Sequence, residues 1–409
     1  MSALVQIAPG RGSHSGSQAS SPGVPRDKWR ALRPSAAQIY LENRCHLDCQ
    51  HCYESPSTHP PEQHLSLEDY DALLGELAAL GVLFLTFTGG EIFLRKDALD
   101  VIAMARRHRF AVTLYTSGTL LDEAKADRLR DLNVSEVHIS VYSHDSALHD
   151  AFTRVPGSHA KSVAALRMLK ERGVTTVLKA NVLRFNIDAL DELLTLADTL
   201  GAEVQLDPSV RPRLDGDRSV LELGVTPEEL RRKVLVRPDL APAFRRYRAE
   251  ELCAGERKLL DDDSVLCGAA RDVIAIGADG SVLACGYFPA AAGRWRRDAA
   301  GARLEDIWLQ SAQLDEVREQ TIAAMSGCGR CELRPMCNPC MAFGLVEHGG
   351  IGACNSSSRH GASAFRGLAE AKVRANEKMA RGRALPIVGE LEVSVPEPRK
   401  GRPLFQTEP

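Results

Sequence analysis

The segment Arg44-Cys45-His46-Leu47-Asp48-Cys49-Gln50-His51-Cys52-Tyr53 constrains this chain more than any other. Its three cysteines, spaced C-x3-C-x2-C, follow a short apolar run over 38–41 that reads as a strand. A loop this tight keeps three thiolates together at a strand end. Three thiolates so held can occupy three corners of a cubane four-iron cluster, which ordinarily takes four cysteines. The fourth iron is then open to a ligand that is not protein. The alternative is zinc, whose structural sites want four ligands; His46 or His51 is then the available fourth.

A second signal lies one helix and one strand further on. Residues 83–88 read as a buried strand, and the run ends in Gly89-Gly90-Glu91. Apolar runs of this length bounded by glycine are typical of parallel strands. Glycines there permit close approach of backbone to a ligand, and a carboxylate beside them can accept hydrogen bonds from an ammonium group.

Together, the cysteine loop with His51 before and Tyr53 after its last cysteine, and the Gly-Gly-Glu that follows, resemble the radical S-adenosylmethionine (SAM) enzymes. The resemblance implies that Cys45, Cys49 and Cys52 hold a [4Fe–4S] cluster whose open iron chelates the amino and carboxylate groups of SAM. One-electron cleavage of SAM then gives a 5′-deoxyadenosyl radical, which takes hydrogen from a substrate. It also implies that Gly89, Gly90 and Glu91 bind the SAM amino group.

The remaining cysteines fall in a second pattern. Cys267 is followed by twelve residues, Gly280, four residues and Cys285; then come Cys328-x2-Cys331-x5-Cys337-x2-Cys340 and, after thirteen intervening residues, Cys354. Two apolar runs, 273–276 and 282–284, flank Asp279-Gly280 and predict a β-hairpin that brings Cys267 and Cys285 to one end. The order resembles the SPASM domain of radical SAM peptide-modifying enzymes, which carries auxiliary iron–sulfur clusters. One departure is the two residues between Cys337 and Cys340, where the family usually has three. The resemblance implies an outer cluster on Cys328, Cys331, Cys337 and Cys354 and an inner one on Cys267, Cys285 and Cys340. Cys253 is the candidate eighth ligand; its alternative is a buried small hydrophobe. A disulfide framework fits a long chain with eleven cysteines and no secretory segment poorly. A zinc ribbon over 328–354 is the remaining alternative.

The chain has 409 residues, 44% hydrophobic, and a net charge of −3. That length suits one large domain and a smaller one. The charge argues against a general nucleic-acid or membrane-surface binder, and no apolar run approaches the ~18 residues of a spanning helix. Iron–sulfur clusters and unpaired thiols point to a reducing cytoplasm. Strand-like runs at 38–41, 82–88, 110–115, 134–142, 175–183 and 202–206 alternate with helical patterns at 66–80, 96–107, 122–132, 158–172 and 187–200, with Asp122 and Ser158 as N-caps. Six such repeats predict an α/β fold, a parallel sheet curled into a partial (β/α)6 barrel. The expected organisation is a disordered arm over 1–36, the radical SAM barrel over 37–207, a linker with bridging helices over 208–252, the SPASM domain over 253–360, and a C-terminal helix and disordered tail over 361–409.

Parallel α/β sheets bind ligands at the C-terminal ends of their strands. Cys45, Glu91, Ser117 and Ser140 are all expected there. The SAM pocket is expected to include Tyr53, Gly89, Gly90, Glu91, Ser117, Ser140, Arg154 and Asn181. Among these, Ser140 offers a hydroxyl to ribose or carboxylate, and Arg154 a guanidinium to the SAM carboxylate. The charged stretch 211–218 is a candidate substrate contact, or else a solvated loop. No catalytic acid or base stands out. The resemblance implies a ribosomally made peptide or protein side chain as substrate, with a flavodoxin- or ferredoxin-type electron donor. Because the barrel begins near residue 37, leader recognition is expected from a separate protein or from the barrel and SPASM surfaces. A small molecule such as a tetrapyrrole precursor or amino acid is the alternative substrate, and a zinc-stabilised binding module the non-enzyme alternative.

Overall fold

The computed structural model describes residues 32–54, 64–243, 263–297 and 302–367. The expectations for the two tails beyond these bounds, and for Cys253, lie outside the described residues. Six parallel strands follow in chain order: β1 (Ala36–Glu42), β2 (Phe84–Gly89), β3 (Ala111–Thr116), β4 (Glu136–Ser140), β5 (Thr176–Asn181) and β6 (Glu203–Asp207). They lie side by side in sequence order within one sheet. Helices α1 (Leu67–Leu80), α2 (Ala98–Arg107), α3 (Glu123–Asp131), α4 (Ser146–Thr153), α5 (Ser158–Glu171) and α6 (Leu190–Thr199) make the crossovers. This is the α/β partial barrel expected from the alternation of runs.

Local chemistry fixes the ends of these helices. Ser66 and Asp69 form a reciprocal capping box at the start of α1, and Gly81, at φ 102°, closes it in the left-handed conformation. Asp122 caps α3 as expected, its side chain accepting from the Lys125 N–H. Ser158 does not cap α5. Gly157 takes that position at φ 78°, and the carboxylate of Asp150 accepts from the backbone N–H groups of Gly157 and His159. Helix α4 has no counterpart in the sequence expectation, and β4 is shorter than the run over 134–142.

The sheet has two different faces. The register carries Ile39 to Phe87, Leu114 and Val137 across four strands. All four are fully buried, in one core with Leu73, Leu77, Val101 and Ile102 of the helices. The alternate row runs from Gln38 through Thr86 and Thr113 to Glu136, and Lys179 registers with both Ser140 and Gln205. The barrel interior is therefore polar. The run over 83–88 is not apolar on both faces: Thr86 and Thr88 turn hydroxyls inward, and Leu83 and Phe84 at its start stay exposed.

The expected hairpin forms from β7 (Val273–Ile276) and β8 (Ser281–Leu283), which pair antiparallel. Gly280 turns between them at φ 85°, and a Cβ there would lie 2.5 Å from the Trp295 carbonyl oxygen. A short β9 (Gly293–Arg294) follows on β8. Strand β7 also lies parallel to β1. One nine-stranded sheet, in the order β6-β5-β4-β3-β2-β1-β7-β8-β9, thus runs from the barrel into the cysteine-rich region without a break. The segment after β6 ties the same two parts together. The Leu214 N–H donates to the Tyr53 carbonyl at 2.9 Å, Arg213 pairs with Asp217, and Arg218 reaches the buried Glu347 at 3.3 Å.

Candidate active site

The cysteine loop leaves the end of β1 and is gripped from two sides. On one side, the N–H groups of Gly90 and Glu91 donate to the carbonyls of Glu42 and Arg44 at 2.8 and 2.9 Å. A Cβ on Gly89 would stand 2.0 Å from the Glu42 oxygen, and one on Gly90 2.3 Å from the Arg44 oxygen. These glycines let the end of β2 touch the backbone that leads into Cys45. On the other side, the N–H groups of Asp48 and Gln50 donate to the carbonyls of Thr153 and Phe152, both at 3.1 Å, so the end of α4 is a brace for the loop. His46 Nε2 lies 2.6 Å from Thr119 Oγ1. His51 is wedged between the rings of Tyr142 and Phe152, at 4.9 and 5.1 Å.

Cys45, Cys49 and Cys52 line one cavity of about 290 Å³ at the mouth of the barrel. Burial pushes the Cys45 thiol up to about 11 and the Cys52 thiol up to about 12. Cys49 is raised further, first by burial and then by its two cysteine neighbours, against a hydrogen bond from Tyr142. No disulfide joins any of the ten described cysteines. Among the described residues, no three His, Cys, Asp or Glu side chains are arranged to hold a single metal ion. His46 meets Thr119 through Nε2 and the His51 ring bonds Asn181, while the Nδ1 atom of each is buried without a partner. Three soft thiol donors around a cavity, without a fourth protein ligand, fit an iron–sulfur cluster with one open iron.

These raised thiols make loading dependent on pH. Ligation needs thiolates, so assembly at these three cysteines releases about three protons and strengthens as pH rises. A thiol raised by folding stabilises the apoprotein below its unfolded pKa and loses that contribution as pH climbs through the folded value. Apoprotein is therefore expected to melt at lower temperature above about pH 9, and loaded protein to resist this. Thermal melts of both forms between pH 7 and 10 check it; parallel curves would contradict the burial of these thiols.

Of the sequence candidates, Tyr53, Gly89, Gly90, Ser117, Ser140 and Asn181 line the same cavity as the three cysteines. Glu91 does not. It is fully buried behind the wall, where its carboxylate accepts from the Phe93 N–H at 3.2 Å, the Thr116 hydroxyl at 2.6 Å and the Ser117 N–H at 2.9 Å, as well as the Ser117 hydroxyl. Ser117 in turn meets Thr119 at 2.9 Å, and Thr119 meets His46. This chain links Glu91 to the cysteine loop. Arg154 lies outside the cavity lining. It has a left-handed backbone (φ 58°) at the end of α4, and its exposed guanidinium is 2.7 Å from Asp48, inside the cysteine loop. Asn181 bonds the His51 ring and donates to the Ser209 carbonyl at 3.2 Å.

Tyr142 and Tyr287 have no assigned role in the sequence reading, and Arg211 enters it only as part of the charged stretch 211–218. The Tyr142 hydroxyl bonds both Ser140 and Cys49. Tyr287 and Arg211 close the cavity on the side of the cysteine-rich region. Tyr53 meets Tyr287 edge-on at 5.2 Å, and the Tyr40 hydroxyl lies 3.4 Å from that of Tyr53 and donates to the Gly286 carbonyl at 2.6 Å. Tyr287 leaves one trace in the sequence: it lies two residues past Cys285, as Tyr53 follows Cys52.

The other cysteines form two groups. Cys328, Cys331, Cys337 and Cys354 line a second cavity of about 560 Å³. Cys267, Cys285 and Cys340 come together elsewhere: burial pushes Cys285 up to about 12, and the other two sulfurs push it the same way. The two-residue spacing before Cys340 does not keep it from this group. The described residues supply no fourth cysteine there.

A parallel α/β barrel with a three-cysteine loop at the C-terminal end of its first strand defines a class of iron–sulfur proteins. Residues 39–197 match the family model of the Radical SAM superfamily, the stretch that holds most of the barrel and its cysteine loop. An AdoMet-dependent heme synthase of Oleidesulfovibrio alaskensis is 26% identical over 363 residues, covering 83% of this chain and 90% of the relative. A PqqA peptide cyclase of Granulibacter bethesdensis is 28% identical over 330 residues, covering 76% and 84%. Among solved structures, Streptococcus suis SuiB bound to its precursor peptide SuiA superposes with a TM-score of 0.63 at 17% identity, covering 81% of this chain and 78% of that one. Native anSMEcpe with bound AdoMet gives 0.64 at 14%, covering 84% and 100%. These two show a shared fold. No helix among the described residues is long and apolar enough to cross a membrane.

Proposed function

We propose that this enzyme modifies a ribosomally made peptide or a protein side chain at an unactivated carbon. The carrying observation is the position of the cavity. It is lined by the three-cysteine loop and by Tyr53, Tyr287 and Arg211, and Tyr287 lies two residues past Cys285 of the inner group. Similarity to a PqqA peptide cyclase and to a mycofactocin maturase of Mycolicibacterium smegmatis, 28% identical over 310 residues, supports this reading. When bound, the cluster and SAM supply a 5′-deoxyadenosyl radical that takes hydrogen from the substrate.

The residues of the chain hold and shield that chemistry. Cys45, Cys49 and Cys52 ligate the cluster, and Tyr142 donates a hydrogen bond toward Cys49. Gly89, Gly90, Ser117, Ser140, Asn181 and Tyr53 surround SAM; Arg154 serves the cysteine loop through Asp48. Cys328, Cys331, Cys337 and Cys354 hold an outer auxiliary cluster, and Cys267, Cys285 and Cys340 an inner one. A flavodoxin- or ferredoxin-type protein delivers electrons, a separate protein or the barrel and cysteine-rich surfaces recognise the leader, and the enzyme works in the cytoplasm.

Glu91 acts through Ser117 and Thr116. Removing its carboxylate strands buried donors in the wall, and a hydrogen bond to a charged group is worth ~1.5–3 kcal/mol. Glu91→Ala is therefore expected to weaken SAM binding roughly ten- to a hundredfold, with iron content unchanged. Equilibrium binding of SAM to the loaded variant measures this; unaltered affinity would leave the Glu91 network without a part in the pocket.

A second reading is favoured by one finding: the heme synthase relative aligns over nine-tenths of its own length. Anaerobic incubation with SAM, reductant and the product of any small neighbouring gene, read by mass spectrometry, separates the two. A mass change in the peptide supports the proposal. Change in a tetrapyrrole precursor, with none in any candidate peptide, would replace it.

A further inference from the structure

Arg211 touches on both cysteine sites, through the cavity wall at one and through its charge at the other. It lies four residues past the end of β6, lines the cavity of the three-cysteine loop, and pairs with Asp207 at 2.6 Å. Both side chains are nearly buried. Its guanidinium sits 4.8 Å from the centroid of the Tyr287 ring and 5.9 Å from that of Phe343. Those rings meet each other at 5.3 Å. Tyr287 is two residues past Cys285, and Phe343 three past Cys340, so the rings hold the cation beside the inner cysteine group. The charge of Arg211 acts on the Cys340 sulfur of that group. On the other side, the same charge acts on the His51 ring within the three-cysteine loop.

A cluster on these cysteines gains one negative charge when reduced. Its potential depends on the net charge around it, on hydrogen bonding and on solvent exposure. A fixed cation in a poorly solvated site acts far more strongly than one in water. Asp207 and the two rings leave the guanidinium little freedom, and a planar cation stacked on aromatic faces is a role that lysine fills poorly.

We propose that Arg211 is a positioning residue that raises the reduction potential of the cluster held by Cys267, Cys285 and Cys340, readying it to take an electron from the substrate cavity. The inference rests on the assignment of a cluster to that cysteine group. Its electron balance is simple: the substrate radical loses one electron as a product bond forms, the cluster gains it, and the substrate proton leaves to solvent or buffer. The cluster is then reoxidised by an external one-electron carrier protein.

The test is anaerobic redox titration followed by electron paramagnetic resonance, on full-length loaded protein carrying Ala at Cys45, Cys49 and Cys52 so that only auxiliary signals remain. Cys285→Ala in the same background identifies the inner cluster by the signal it removes. Arg211→Gln, whose amide can still meet Asp207, is expected to move that midpoint to a more negative potential. Arg211→Lys keeps the charge and is expected to shift it by less than half as much. The outer cluster, an internal reference, stays in place. An unchanged midpoint in Arg211→Gln, or equal shifts in the Gln and Lys variants, would overturn the role of Arg211. If Cys285→Ala removes no signal, it is the cluster assignment that fails.

Discussion

Replacing Cys45, Cys49 and Cys52 together by Ala is expected to abolish 5′-deoxyadenosine formation and to remove about four irons per chain. The loss should be confined to that site. The loop is held mainly by backbone bonds from Asp48 and Gln50 to the end of α4 and by His46 on Thr119, none of which uses a sulfur ligand. The outer cysteines line a separate cavity. Protein from the triple variant should therefore remain folded and brown, with auxiliary iron still bound. Iron and sulfide analysis with product chromatography decides the matter. SAM cleavage persisting in the variant would sink the assignment, and zinc recovered in place of iron at the remaining cysteines would revive the zinc alternative for that region.

The parts of this site that the sequence displays are those written in local spacing. C-x3-C-x2-C names its own loop, and Gly89-Gly90 announces a close backbone approach at a strand end. Alternating apolar runs were enough for the six strands and their order, because parallel neighbours in this fold follow the chain. Residues whose roles depend on distant partners were harder to see. Glu91 reads as a ligand for an ammonium group, and its bonds to Thr116 and Ser117 are written nowhere in the local sequence. Arg154 reads as a carboxylate clamp, and its pairing with Asp48, over a hundred residues earlier, has no local sign. Tyr142, Tyr287 and Arg211 have no motif at all; they matter because β4, β6 and the segment after β8 converge on one cavity. Helix α4 is only eight residues long and capped by Asp145, too short for a periodic signal. The pairing of β7 with β1, more than two hundred residues apart, leaves no local trace either.

Gly90→Ala is expected to cost cluster loading at the three-cysteine loop at least tenfold while most of the sheet still folds. The added Cβ would lie 2.3 Å from the Arg44 oxygen, 2.5 Å from the Arg44 carbonyl carbon and 2.7 Å from the Asn43 oxygen. All three are backbone atoms, so no side chain can rotate away. The loop must move instead, and with it the Arg44 carbonyl that accepts from the Glu91 N–H. Overpacking of even ordinary core sites costs ~1–3 kcal/mol, and here the strain falls one residue from the first ligand. Gly361→Ala is the matched control: nothing lies within 4 Å of its added Cβ, it sits in the helix over 356–367, and Ala favours helix over Gly by ~1 kcal/mol. Iron bound per chain after identical reconstitution, with far-ultraviolet circular dichroism to check the fold, compares the two. Normal loading of Gly90→Ala would mean that the loop has slack to accept a methyl group, and that Gly90 does not fix the path of the chain into Cys45.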